Sequence, residues 1–104
     1  MTISFIDPPS VRHLGELASL KSAILSHFHQ DSGLYYRSDE QRWQAIVSHY
    51  RAAERNLIAG QIRELLSRDD RFIVQFWDRH SEYFFFETAA DVRAYLEPKL
   101  SLFE

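Results

Sequence analysis

Cysteine is absent from the chain, which excludes disulfides and thiolate chemistry alike. Glycine is scarce, and Gly15, Gly33 and Gly60 stand isolated, so no glycine-rich loop exists to cradle a phosphate and no elbow to present a serine nucleophile. A basic excess is missing too. Twelve Lys and Arg face 15 Asp and Glu, a formal charge of −3, which argues against a dedicated nucleic-acid binder and leaves room for a basic protein partner. Long apolar runs are lacking, the N-terminus shows no basic stretch followed by one, and Asp7-Pro8-Pro9 interrupts it early. Neither secretion nor membrane spanning is expected, and the cytoplasm is the expected compartment.

What the chain does have is aromatic surface, 14% of 104 residues, within a length that suits one domain over residues 1–104. So many rings in so short a chain imply that some lie outside the core. Thr2 to Ile6 is expected to be a short edge strand or an arm packed by Phe5, ended by Pro8 and Pro9. Ser10 is a candidate N-cap for a first helix running to about His29. Within it Leu17, Leu20, Ile24 and Phe28 recur at spacings of three and four, placing Phe28 as the last buried rung. Asp31-Ser32-Gly33 then takes the chain out of the helix.

The loop from Asp31 to Arg37 holds Leu34, Tyr35 and Tyr36, more apolar surface than a solvated loop needs. Ser38-Asp39-Glu40-Gln41 is a capping-box pattern opening a second helix. In that helix Trp43, Ile46, Val47 and Tyr50 share a face, and Arg42, Gln44 and Ser48 are expected to look outward. Glu54 fits the continuing stripe poorly, so a break falls near 51 to 55. A third helix follows, with Leu57, Ile58, Ile62, Leu65 and Leu66 on its apolar side.

Residues 71 to 87 read differently. Phe72 to Trp77 and Glu82 to Glu87 are rich in aromatic and β-branched residues and flank the polar Asp78-Arg79-His80-Ser81, which predicts a β-hairpin. The alternative is a buried helix from 70 to 77. Thr88 to Asp91 opens a last helix, with Val92, Tyr95 and Leu96 on one face and Pro98 at its end. The expected fold is therefore α+β, mostly α, with about four helices and a C-terminal hairpin; the alternative is all-α.

Phe28-His29-Gln30-Asp31 carries a resemblance. A phenylalanine-histidine-glutamine-aspartate run after an N-terminal helix, followed by an acidic residue and two leucines, here Glu64-Leu65-Leu66, resembles the CdiI-type immunity proteins of bacterial contact-dependent growth inhibition. It covers residues 14 to 67. Ser32 stands where many members carry tryptophan, and the region after Asp70 is more aromatic than that family's pattern. The resemblance implies a protein that binds and masks the C-terminal domain of a CdiA-type toxin, often a nuclease with a basic groove. The signature is then scaffold: His29 or Gln30 bonds carbonyls at the helix end and Asp31 holds the following loop. Partner contacts are expected at Tyr35, Tyr36, Asp39 and Glu40, where rings and acids adjoin.

Two other classes stay open on the residues alone. One is a general interaction module without catalysis. The other is a small metal-dependent enzyme using His27, His29, Asp31 and His49, although on a helix only His27 and Asp31 are neighbours. Asp39-Glu40 and Asp69-Asp70 are explained by helix starts without any acid–base role. Neither catalytic residues nor a cofactor nor a metal is expected.

Overall fold

The computed structural model describes residues 7–103, so the expected strand or arm at Thr2 to Ile6 lies outside the described residues. Short 3-10 turns cover Arg12–Leu14 and Glu97–Lys99. The α-helices are α1 (Ala18–His27), α2 (Ser32–Tyr35), α3 (Asp39–His49), α4 (Ala52–Leu66), α5 (Asp70–His80), α6 (Ala89–Leu96) and α7 (Leu100–Phe103). No strand occurs among the described residues. The fold is all-α there, and the C-terminal hairpin is overturned. No helix among these residues is long and apolar enough to cross a membrane.

Helix α1 is the hub, packing against α3, α4 and α5, while α6 covers α5 and α7 closes over α3 and α4. Leu17, Leu20, Ile24 and Phe28 are all buried, as their spacing predicts, but the helix starts later than Ser10. Gly15 (φ 80°) and Leu17 (φ 58°) adopt left-handed backbone and separate the first 3-10 turn from α1. Leu17 offers no capping side chain, so the free N–H groups are met from a distance. Asp7 Oδ1 accepts from the backbone N–H (3.1 Å) and hydroxyl (2.7 Å) of Ser19, and Gln61 Oε1 of α4 accepts from the N–H of Leu20 (2.8 Å).

The break between α3 and α4 falls at Tyr50 and Arg51, both extended, and Glu54 accepts the Arg51 N–H at 3.3 Å. That bond explains the misfit of Glu54 with an apolar stripe. On α4, Leu57, Ile58, Ile62 and Leu65 are buried and Leu66 packs at the core margin.

The first half of the expected hairpin is α5. Asp69 accepts the Phe72 N–H at 2.9 Å as an N-cap, and Ile73, Phe76 and Trp77 then bury at helical spacing. Ser81 ends the helix in extended geometry. The second half, 82 to 87, is an irregular strap with bends at Glu82, Tyr83 and Glu87 and no strand among the described residues beside it. Its alternation is strand-like, because Phe84 and Phe86 pack on the core while Tyr83 and Phe85 face out. Part of its backbone is bonded by groups outside any sheet. The Glu82 N–H donates to the Phe28 carbonyl (2.7 Å), the Trp77 indole (2.9 Å) and Ser81 hydroxyl (2.9 Å) to the Phe84 carbonyl, and the Phe86 N–H to Asp78 Oδ1 (3.2 Å).

Thr88 caps α6, whose Val92 and Leu96 are buried with Tyr95 beside them. Helix α6 ends at Leu96, two residues before Pro98, but it is not the last helix: Pro98 sits in the 3-10 turn that leads into α7, and Phe103 of α7 meets Trp43 edge-on at 6.1 Å.

Candidate functional site

The end of α1, the turn α2, the start of α3 and the strap meet in one place, and Phe28 is its inner anchor. The fully buried ring lies 5.6 Å from Trp43, 5.0 Å from Trp77 and 5.6 Å from Phe84. Each of the other signature residues has a lesser role. His29 Nδ1 accepts the Asp31 N–H at 3.2 Å and its ring meets Tyr35 edge-on. Gln30 and Asp31 are exposed, and the Asp31 side chain makes no hydrogen bond among the described residues.

The residue that ties the helix end to its loop is Ser32, buried and easily passed over in the sequence. Its hydroxyl donates to the His27 carbonyl (2.7 Å) and accepts from Arg42 Nε (2.7 Å). Arg42, expected to face solvent, is 3% exposed. Its guanidinium also pairs with Asp39 Oδ1 (2.8 Å) and lies over the rings of Phe28 (5.1 Å), Tyr36 (5.6 Å) and Tyr83 (4.5 Å). One cation thus joins α2, α3 and the strap, and rings that face its charge repay part of its desolvation.

Asp39 is committed to the same network. It takes Arg42, the Tyr95 hydroxyl (2.6 Å) and Lys99 Nζ (3.2 Å), and Tyr95 in turn accepts the Trp43 indole N–H (2.7 Å). Burial, then the hydrogen bond to the Asp39 carboxylate, pushes the Tyr95 phenol well above its ordinary range, so it stays a neutral donor. Capping of α3 keeps half of the expected box: Ser38 accepts the Gln41 N–H (3.0 Å), while Gln41 Oε1 reaches one residue further back, to the Arg37 N–H (2.6 Å).

Outside this network lies an apolar surface. Leu34 is 84% and Tyr35 70% exposed on α2; Phe85 is 61% and Tyr83 40% exposed on the strap. Tyr83 abuts Gly33, where a Cβ would come within 2.9 Å of the phenol oxygen, so strap and turn are in contact. Tyr36 is half-buried and lines an open groove of about 470 Å³ with Ser38, Arg42, Tyr83 and Tyr95. Asp31, Glu40 and Glu82 are exposed at the rim, and none has an ion-pair partner among the described residues. Of the four expected contact residues, Tyr35 and Glu40 are free, Tyr36 is partly so, and Asp39 belongs to the scaffold. Tyr83 and Phe85 were hidden by the hairpin reading, and the alternation from 83 to 86 is the signal that finds them.

The histidines gather differently from the metal expectation. His27 Nδ1 donates to the Ala23 carbonyl (2.9 Å), and its ring lies 5.9 Å from His49 and 6.2 Å from Tyr36. Among the described residues no group of three or more His, Asp or Glu converges as metal ligands. No family model, curated protein or solved structure matches the chain.

Proposed function

We propose that this chain is a protein-binding module without chemistry of its own, and that Leu34, Tyr35, Tyr83 and Phe85 form the centre of its docking face. The observation that carries this reading is their joint exposure beside a buried network that fixes both segments. Side chains held rigid by a scaffold lose little freedom on binding, and aromatic anchors ringed by charge are the usual source of affinity. The acids Asp31, Glu40 and Glu82 against Arg37 suit a basic partner surface.

The narrower reading is an immunity protein that covers the basic groove of a CdiA-type toxin domain. The sequence Phe28-His29-Gln30-Asp31 favours it, and the acidic rim is compatible with it. Co-expression with the toxin domain whose reading frame adjoins this one tests both levels. The expected result is restored growth and co-purification, both lost in Tyr35→Ser with Phe85→Ser at unchanged melting temperature. Glu40→Lys with Glu82→Lys should weaken binding and flatten its salt dependence. Asp39 is unsuitable for that reversal, because it holds Arg42. Protection that survives both double variants places the docking face elsewhere. A toxin domain that ignores the unaltered chain removes the immunity reading and leaves the general one.

A further inference from the structure

A second concave site lies away from the docking face, between the start of α1 and one side of α5. Phe72, Phe76, Arg79 and His80 recur along α5 at helical spacing and line it together, with Lys21 of α1 opposite. Phe72 and Phe76 stack at 27° between ring planes and form its apolar side. Lys21 Nζ is 5.9 Å from the centre of the Phe76 ring, and donates to the Leu14 carbonyl at 3.0 Å. The His80 ring is 4.8 Å from that of Phe76, and its Nδ1 donates to the Phe76 carbonyl at 2.7 Å, which leaves Nε2 unused.

The charges here are unbalanced. Glu16 is the carboxylate of the groove, and it is already paired with Arg68, whose guanidinium lies over Phe72 at 3.9 Å. Lys21 and Arg79 have no carboxylate partner among the described residues. Burial pushes the His80 imidazole below its ordinary range, partly offset by its hydrogen bond to the Phe76 carbonyl, and the charges of Lys21 and Arg79 press downward too. The free volume is about 180 Å³. A cavity of about 150 Å³ takes a benzene ring, so one substituted ring is the size that fits.

We propose that this groove binds a small aromatic oxyanion, its ring against the half-buried Phe72 and its charged group among Lys21, Arg79 and His80. An anion there supplies Lys21 and Arg79 with a countercharge, and its ring covers the part of Phe72 that stays exposed beside the Arg68 guanidinium. The proposal is independent of the docking face, which shares none of these residues.

Titration with benzoate, benzamide and inorganic phosphate, followed by side-chain NMR of Lys21, Phe76 and His80, tests it. Benzoate should give saturable shifts at all three. Benzamide lacks the charge and phosphate lacks the ring, so each should bind at least tenfold more weakly. Arg79→Gln, at an exposed position, should weaken benzoate at least threefold at unchanged melting temperature, and Lys21→Gln with Arg79→Gln at least tenfold in protein that remains folded. Binding should tighten between pH 7.5 and 5.5. Among the charged groups facing the site, Lys21, Arg79, Glu16, Arg68 and His80, the imidazole alone has its ordinary range near that interval. Equal binding of benzamide and benzoate, shifts that never saturate, or unchanged affinity in the double variant would each overturn the assignment.

Discussion

The two aromatic-rich runs, 72 to 77 and 82 to 86, read alike as halves of one hairpin and have different fates. The first is preceded by Asp69, which caps a helix, and its rings fall at helical spacing, so Ile73, Phe76 and Trp77 enter the core together. The second follows Ser81 in extended geometry and divides its rings, Phe84 and Phe86 inward, Tyr83 and Phe85 outward. Backbone outside helices and sheets must find its hydrogen bonds elsewhere. Here Trp77, Ser81 and Asp78 of the preceding segment supply several of them. The lesson is that aromatic richness alone does not assign period; the cap three residues before the first run points to the helix, and a strap can show strand-like alternation without belonging to a sheet.

The sharpest break of this comparison removes one ring from each run. Trp77 is fully buried, touches Phe28, Phe84, Phe86 and Tyr95, and donates to the Phe84 carbonyl. Trp77→Ala should lower unfolding free energy by about 3–5 kcal/mol, the cost of an aromatic cavity. Phe85→Ala should stay within about 0.5 kcal/mol, as exposed substitutions do. Urea unfolding of both variants measures the contrast, and a loss above about 2 kcal/mol for Phe85→Ala would mean that the strap faces the other way.

A second contrast, of intermediate size, sets neighbouring residues of the signature loop against each other. Ser32→Ala strips the His27 carbonyl and Arg42 Nε of their partner, and should cost about 1–2 kcal/mol. Asp31→Ala removes an exposed carboxylate without a hydrogen bond and should change stability by less than about 0.5 kcal/mol. The opposite order would return the scaffold role to the aspartate that the resemblance favours.

Legibility in the sequence followed physical range. The helical stripes on α1, α3, α4 and α6 were readable because each rests on spacing within a few turns. Helix ends set by distant groups were not: Asp7 and Gln61 cap α1 across 12 and 41 residues, and nothing local announces them. Arg42 illustrates the same limit. Its position beside Trp43 looks like the edge of a polar face, and only the arrival of Ser32, Tyr36 and Tyr83 makes burial tolerable there. On the proposed docking face, excess loop aromatics and acids in the sequence pointed to Tyr35 and Glu40, both exposed, whereas the exposure of Tyr83 and Phe85 needed the strap to be recognised as unpaired.

The smallest effect concerns pH, and it separates buried from exposed imidazoles as the aromatic variants separate buried from exposed rings. Burial is the main reason that the His27 imidazole is held below its ordinary value of 6.5, partly offset by its hydrogen bond to the Ala23 carbonyl; His49, His29 and Arg42 add to the lowering. His80 is lowered for the same first reason. For a histidine depressed in the folded state, the unfolded chain binds the proton more readily, so protonation favours unfolding. The stability attached to His27 is therefore complete above pH 6.5, falls as pH drops through that value, and stops falling below the depressed folded value. Unfolding in urea at pH 7.5 and at pH 5.0 should show lower stability at the acidic end. His27→Gln keeps a donor for Ala23 but cannot take up a proton, so it should be less stable at pH 7.5 and show a smaller loss between the two. Should the loss match that of the unaltered chain, the acid sensitivity belongs to His80 or to the carboxylates, and the cluster of His27, His49 and Tyr36 is indifferent to protonation.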